Sequence, residues 1–407
     1  MISATALSAG AVALGCGGCA KGNNMVYREL GKTGLKTSII GFGAEWMVRH
    51  TQEECNALFR KCESYGINTV DCWMADPAVR DRIGQALVGH RDQWIIEGHV
   101  CSDWNNGNFR ITRDVEACKR SFEDLLKRLR TDYIDLGMIF LVDKVDEFRS
   151  ILNGPLAAYM RELKASGKIR HIGMSTHNPA VGIEAAKSGL VEMMLFCVNP
   201  AYDFLPPMED HQKLFKDETF ESKLGGIDPK RAELYRTCAS LGVGLTVMKA
   251  YAGGRLLDAS RSPFKTALTP VQCLHYALTR PAVASVMVGY DTLEHIDEAV
   301  HYLSATKEEL DYASVLAHAP FHSFDGECTY CDHCAPCRVG IPIGTVNKLY
   351  DLAIAAKGNI PASVREHYAA LPHHAGECIN CQACEKRCPF HVKIAERMAA
   401  AARLFGN

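Results

Sequence analysis

From Ile39 onward the chain alternates short apolar runs with amphipathic stretches at helical spacing. The apolar runs are Thr37–Gly41, Asn68–Asp71, Trp94–Val100, Tyr133–Phe140, Ile169–Ser175, Met193–Asn199, Gly244–Lys249 and Ala284–Gly289. They are continuous rather than alternating, as in strands buried on both faces. Helical patterns fill the gaps at Glu53–Tyr65, Val79–Leu87, Arg113–Leu129, Pro155–Ser166, Pro179–Ser188, Lys230–Leu241 and Pro270–Leu278, with another at Leu293–Leu303. This alternation predicts an α/β fold, a closed parallel (β/α)8 TIM barrel whose functional residues belong at the C-terminal ends of the strands. The segment Tyr202–Ile227 is polar, contains Pro and Gly, and is long for such a connection. Loops of that size are usually lids or binding loops, so it is expected to overhang the functional face.

Past the last barrel helix, Lys307–Ala317 reads as one more helix, and the composition shifts at Pro320 into a cysteine-rich segment. Its first run, CTYCDHCAPC, holds Cys328, Cys331, Cys334 and Cys337; its second, CINCQACEKRCP, holds Cys378, Cys381, Cys384 and Cys388. The second run has the spacing C-x2-C-x2-C-x3-C-P, which wraps thiolates around a cubane iron–sulfur cluster, and the first is a near copy. Three closely spaced cysteines curl around one face of a cubane, and the fourth comes from the other run. The expected sets are Cys328, Cys331, Cys334 and Cys388, and Cys378, Cys381, Cys384 and Cys337, giving two 4Fe-4S clusters and a protein that handles single electrons. Paired C-x2-C also builds zinc sites, although two full four-cysteine runs exceed what a zinc finger uses. Ile343–Ala356 and Ala362–Leu371 are helical in pattern, so the segment is expected to be a mainly helical ferredoxin-like domain. The expected division is a barrel over 25–318 and a cluster domain over 319–407.

A chain of 407 residues accommodates one large domain and one small one. A formal charge of −2 gives no electrostatic footprint for nucleic acid. No apolar stretch approaches the roughly 20 residues of a membrane-spanning helix. Cys55, Cys62, Cys72, Cys101, Cys118, Cys197, Cys238 and Cys273 show no framework spacing. They read as buried free thiols, which favours a reducing, cytoplasmic compartment. Residues 1–24 are apolar and rich in small residues, like the core and cleavage zone of an export signal with Cys16 as a lipid site, but no Lys or Arg precedes them. They are set aside as a leader: the remnant of a twin-arginine-type signal that carries prefolded proteins, or sequence upstream of a true start at Met25.

The segments YRELGKTGLKTSIIGFGAEWM, INTVDCWMADPAVRDRIGQAL, LLKRLRTDYIDLGMI, KASGKIRHIGMSTHNP and VMVGYDTLEHIDEAV together resemble the aldo/keto reductases over most of residues 25–303. The C-terminal runs resemble those of an iron–sulfur-containing subgroup of that family. The resemblance implies a site of Asp, Tyr, Lys and His, in which the Tyr protonates a carbonyl while a nicotinamide delivers hydride. Asp71, ending the second strand, matches the Asp; Asp76 stands at the Tyr position, His99 at the Lys position and Phe140 at the His position. The catalytic site is therefore atypical. His99 is the candidate proton donor or acceptor, with Asp71 orienting it and Asp76 pairing with it or with substrate. Lys249, at the end of strand seven, is a candidate to grip a phosphate or to replace the missing lysine. His177, just after strand five, reads as a loop histidine.

For a nicotinamide, the resemblance places Ser175 and Thr176 at the carboxamide and Cys197 where a Gln usually helps. Gly289 and the helix after it fall at the adenine end, where a helix N-terminus favours phosphate, with Glu298 near the adenine. The Arg that usually holds a 2′-phosphate is missing: YDTLEHIDE contains no Arg or Lys, and Asp291 and Glu294 would repel the group. NAD(H) or NADP(H) is expected to bind, if at all, with no strong preference for NADPH.

The expected function is an iron–sulfur oxidoreductase of aldo/keto reductase type acting on a carbonyl, alcohol or related small polar substrate. Its rivals are an electron-transfer subunit that docks a redox protein partner, and a non-catalytic sensor of redox state or nicotinamide.

Overall fold

The computed structural model describes residues 25–220, 226–317, 324–356 and 359–407. The expected leader, the domain boundary at 318/319 and part of the long loop after strand six lie outside these residues.

The chain enters through an antiparallel hairpin, β1 (Tyr27–Glu29) and β2 (Lys36–Ser38). Barrel strands β3 (Ile40–Gly43), β4 (Thr69–Cys72) and β5 (Ile95–His99) follow. A second hairpin, β6 (Ser102–Asn105) and β7 (Asn108–Ile111), projects beyond β5. The barrel continues with β8 (Ile134–Ile139), β9 (Ile169–Thr176), β10 (Met193–Cys197), β11 (Gly244–Met248) and β12 (Val283–Gly289). It closes in the order β10-β11-β12-β3-β4-β5-β8-β9, and every pairing within it is parallel.

The expected first strand, Thr37–Gly41, is split. Lys36–Ser38 belongs to the entry hairpin, and the barrel strand begins at Ile40. Ser38 makes the break: its amide donates to the Asn68 side chain at 2.7 Å and its hydroxyl to the Ile40 carbonyl at 2.7 Å. The hairpin plugs the N-terminal mouth of the barrel, where Leu30 is fully buried with Leu136, Met193 and Leu195. Gly31 makes this close approach feasible. It has φ +57°, and a Cβ there would fall 2.4 Å from the backbone of Gly242 and Gly244.

Around the barrel run α1 (Gln52–Ser64), α2 (Pro77–Ala86), α3 (Val115–Leu129), α4 (Val145–Leu152), α5 (Pro155–Ala165), α6 (Pro179–Ser188), the single turn α7 (Pro200–Asp203), α8 (Pro229–Leu241), α9 (Pro270–Thr279) and α10 (Leu293–Val300). Pro follows a capping Asp, Asn or Thr at the starts of α2, α6, α7, α8 and α9, which fixes where these helices begin. Of the helix expected over Lys307–Ala317, only α11 (Tyr312–Ala317) forms.

The C-terminal segment contains α12 (Ile343–Ala355), α13 (Ala362–Ala369) and α14 (Ile394–Phe405), with no strand among its described residues. It packs on the flank formed by α8 and α9. Phe324 meets Phe204 with ring centroids 4.6 Å apart, the Ile227 amide donates to Glu327 at 3.1 Å, and Lys348 donates to the Thr279 carbonyl at 3.2 Å. The buried Arg280 donates to the Thr329 carbonyl, which also accepts from Tyr312 at 2.8 Å. The two regions therefore share polar and apolar contacts.

Candidate active site and cysteine-lined cavities

A cavity of about 430 Å³ opens at the C-terminal end of the barrel, where residues at or just past the strand ends converge. Asp71 from β4, His99 from β5, Phe140 after β8, Ser175 from β9, Lys249 after β11 and Gly289 from β12 all line it. Aromatic rings form one wall. Trp73 stacks on Phe140 at 5.8 Å, and Phe140 meets the His99 ring edge-on at 4.7 Å. Phe109, carried by the β6–β7 hairpin, packs against Trp73 at 5.5 Å.

Asp71 and His99 form a buried pair, with Oδ1 of Asp71 2.9 Å from Nε2 of His99. An ionised carboxylate selects the tautomer with hydrogen on Nε2, which leaves the Nδ1 lone pair bare. Nδ1 is buried and has no partner among the described residues. A carboxylate that fixes one imidazole nitrogen orients the ring, the arrangement found around a histidine that exchanges protons.

The facing wall carries a second set. Lys249 Nζ lies 3.2 Å from Nε2 of His177, whose Nδ1 lies 3.1 Å from Oδ2 of Asp143. Oδ1 of Asp143 accepts from the Thr176 hydroxyl at 3.1 Å and from the His177 amide at 2.6 Å. His211, from the long loop, stacks on His177 with ring centroids 5.1 Å apart and puts its Nδ1 3.4 Å from Asp143. Burial alone would raise the Asp143 carboxyl, but the hydrogen bonds from His177 and His211 outweigh it and hold the group well below the usual carboxylate range. Glu45 also lines the cavity; burial raises its pKa, Lys249 opposes the shift and Asp71 adds to it. Sequence reasoning passed over Asp143, His211 and Glu45 because they come from separate connections with no common spacing.

Asp76 does not join Asp71 and His99. Its Oδ1 accepts from the amides of Ala78 at 2.8 Å and Val79 at 3.4 Å, capping α2, and it does not line the cavity. An Asp directly before a Pro that opens a helix is a capping signal, and that local demand sets its direction.

Of the residues expected to hold a nicotinamide, Ser175, Lys249 and Gly289 line the cavity. The Ser175 hydroxyl accepts from the Leu141 amide at 2.8 Å. The other three point elsewhere. Thr176 is turned to Asp143. Cys197 is fully buried behind Arg231, which donates to its carbonyl at 3.0 Å. Glu298 is exposed on α10. Gly289 lies under Trp46, whose Nε1 is 2.9 Å from where a Cβ would be. Asp291 faces His50 at 3.2 Å and Arg49 at 3.9 Å, so cations approach this loop from the β3–α1 connection, already engaged by a carboxylate. Of the six expected residues, Thr176 and Cys197 are committed to other partners and Glu298 is exposed, while Ser175, Lys249 and Gly289 remain at the cavity.

The eight C-terminal cysteines line two cavities and form no disulfides. One is lined by Cys328, Cys331, Cys334 and Cys388, and the other by Cys378, Cys381, Cys384 and Cys337. Each set takes three cysteines from one run and one from the other. The two runs share a backbone pattern, with positive φ at Tyr330 and Asp332 in the first and at Asn380 and Gln382 in the second. Alternating left-handed residues turn successive amides inward and make a concavity suited to anions. Outside the cysteines, Asp143, His177 and His211 are the one set of metal-ligand type whose atoms gather within 4.8 Å among the described residues.

A closed (β/α)8 barrel with its polar site at the C-terminal ends of the strands defines the architecture. The aldo/keto reductase family model matches residues 40–272, more than half of the chain, and the chain belongs to that family. It is an oxidoreductase of this type. It is similar to the uncharacterized oxidoreductase YqkF of Bacillus subtilis (strain 168), at 28% identity over 306 residues, spanning 70% of this chain and 94% of that protein. It is also similar to the aldo-keto reductase YhdN of the same organism, at 29% identity over 192 residues, 44% of this chain and 54% of that one. Among solved structures, the holo form of the aldo-keto reductase AKR11C1 from Bacillus halodurans shares the fold with a TM-score of 0.56 at 22% identity, over 72% of this chain and 96% of that one. The family match ends before the cysteine runs. No described helix is long and apolar enough to cross a membrane.

Proposed function

We propose that the chain is an aldo/keto-reductase-type oxidoreductase that carries two 4Fe-4S clusters and acts on a small polar carbonyl or alcohol, with His99 exchanging the substrate proton. The observation that carries the chemistry is the Asp71–His99 pair at 2.9 Å in the wall of the barrel cavity. In the alcohol-to-carbonyl direction, the His99 imidazole takes the hydroxyl proton, Asp71 at Nε2 stabilises the imidazolium, and the carbon-bound hydrogen leaves with its electron pair to a hydride acceptor. In the reverse direction a hydride donor returns that hydrogen to carbon and the imidazolium returns the proton to the developing alkoxide. Lys249, fixed by His177, supplies a cation on the opposite wall for a polarised oxygen or an anionic substituent. The aromatic wall of Trp73, Phe109 and Phe140 excludes water and packs the carbon frame.

The cysteine sets fit iron–sulfur cubanes better than zinc. A tetrahedral zinc site with bonds of about 2.3 Å brings its sulfurs to about 3.8 Å from one another. No three cysteine sulfurs among the described residues gather within 4.8 Å. The wider spacing and the inward amides support a larger anionic group with four thiolates at its corners. Bound there, such clusters supply single-electron transfer. Cys328, Cys331, Cys334 and Cys388 would hold the inner one, beside the barrel; Cys378, Cys381, Cys384 and Cys337 would hold the outer one, where Cys381 is exposed. A nicotinamide, which the family commonly binds, would supply that hydride transfer when bound, with Ser175, Lys249 and Gly289 lining its place.

The test is His99→Ala on protein with intact iron content. Turnover should fall by roughly 10²-fold or more, the scale of a lost general acid–base. Unchanged turnover, together with loss on Cys→Ser in either run, would instead assign the barrel to partner docking in an electron-transfer subunit.

A further inference from the structure

The two cysteine-lined cavities differ in charge and exposure, and the difference has a use. The inner cavity is lined by Glu327, Asp332 and His333 and by no Lys or Arg. The outer cavity is lined by Arg338 and Arg387, both exposed. Two further exposed lysines flank it. Lys386 precedes Arg387, and Lys393 lies two residues before Ala395, which lines the cavity. The nearby acids are Glu385, which accepts from the Ala395 amide at 2.8 Å, Glu377, which accepts from the His373 ring at 2.8 Å and the His374 amide at 2.6 Å, and Glu396, exposed beside Ala395. Four exposed cations against these three acids leave the surface locally cationic by a small margin, in a chain of net charge −2.

An apolar side chain stands in its middle. Ile379, between Cys378 and Cys381, is 59% exposed, the most exposed large apolar residue among those described. One exposed Ile is ordinary in itself. Here it lies beside the exposed Cys381 and inside a cationic rim, the pattern of an apolar contact with complementary charges around it. At the inner cavity the cations stand behind the lining, where Arg397 donates to Asn347 at 2.9 Å and the buried Arg280 to the Thr329 carbonyl, whereas those of the outer cavity are exposed.

We propose that the surface around Ile379, Cys381, Arg338, Lys386, Arg387 and Lys393 is the docking site for a small acidic one-electron carrier protein. The inference rests on the cluster reading above. The carrier loses one electron and the outer 4Fe-4S cluster gains it, or the reverse, with no proton or bond exchanged. Complementary charge steers the encounter, and its effect on rate should fall with ionic strength.

The experiment uses full-length, oxygen-free protein with its full iron content and a reduced acidic ferredoxin as probe, following cluster reduction by absorbance in stopped flow. Wild-type protein should be reduced with a second-order rate that drops at least tenfold between low and high salt. The double variant K386E/K393E should lose at least tenfold at low salt, and Ile379→Ser should weaken the complex without altering the salt dependence. Reduction by a small photochemical reductant should be unchanged in both, which separates docking from cluster loss. Salt-independent reduction, or a K386E/K393E variant as fast as wild type, overturns the proposal. So does concentration-dependent self-association abolished by K386E/K393E, which would make the surface an interface between copies of this chain. Absence of iron would instead sink the cluster reading, and the iron assay made beforehand tells the two failures apart.

Discussion

Lys249 holds its ammonium 3.2 Å from Nε2 of His177, and the same ring presents Nδ1 to Asp143 at 3.1 Å. The lysine is aimed by its backbone. It adopts φ +59°, rare for a residue with a side chain, and its carbonyl accepts from Asn199 at 2.8 Å. Burial first, then the Lys249 charge, lower the His177 pKa to about 4, with Asp143 opposing them. The imidazole is therefore neutral between two opposite charges.

This neutrality has a consequence for stability. The unfolded histidine takes its proton near pH 6.5 and the folded one near 4, so the unfolded chain binds more protons between those values. Stability is expected to be lost as pH falls through that window, at about 1 kcal/mol per pH unit for this one group. His275, lowered to about 4 chiefly by burial, adds to the same trend. Denaturant unfolding from neutral pH downward measures the slope. His177→Asn should flatten it, and a slope equal to wild type would contradict the neutral assignment.

Asp76→Ala should leave turnover unchanged. It removes the cap that accepts the Ala78 and Val79 amides, and should cost about 1 kcal/mol of stability. Thermal unfolding together with an activity assay reads both effects. A large loss of turnover at unchanged stability would return Asp76 to the catalytic group.

The crossed cysteine sets predict paired outcomes. Cys388→Ser, although in the second run, should deplete the cluster proposed at Cys328, Cys331 and Cys334. Cys337→Ser, in the first run, should deplete the cluster proposed at Cys378, Cys381 and Cys384. Electron paramagnetic resonance of the reduced variants distinguishes the two. Loss of each cysteine's own-run cluster would refute the crossing.

Titration with NADPH and NADH should show no strong preference for NADPH. Arg49 is held by Asp291 and stacks on Trp46 at 4.0 Å, leaving no Lys or Arg in the segment after Gly289 for a 2′-phosphate. A tight, NADPH-only site measured by fluorescence or calorimetry would contradict this.

Much of the fold was legible because buried parallel strands need continuous apolar runs and their helices need amphipathic ones. What escaped had weaker or competing signals. The β6–β7 hairpin turns at Asn106–Gly107, both at positive φ, and Asn-Gly is a strong hairpin signal, but its short polar strands carry no apolar run. Helix α4 is only eight residues long and sits against α5, so it reads as part of a loop. At the site, Asp71 and His99 could be placed by the family resemblance and Lys249 by its position at a strand end, and all three line the cavity. Asp76 could not, because capping a helix outweighed its family position. Nor could Asp143 and His211, which meet only after the separate connections following β8 and β10 come together. The spacing of the two runs led to the same division of cysteines, three from one run and one from the other, that lines the two cavities.

The most direct test is metal analysis of protein purified without oxygen. About eight irons per chain, with matching sulfide and no zinc, are expected from two four-cysteine sets. Zinc in their place would leave an aldo/keto reductase barrel with no electron path attached, and about four irons would remove one of the two clusters.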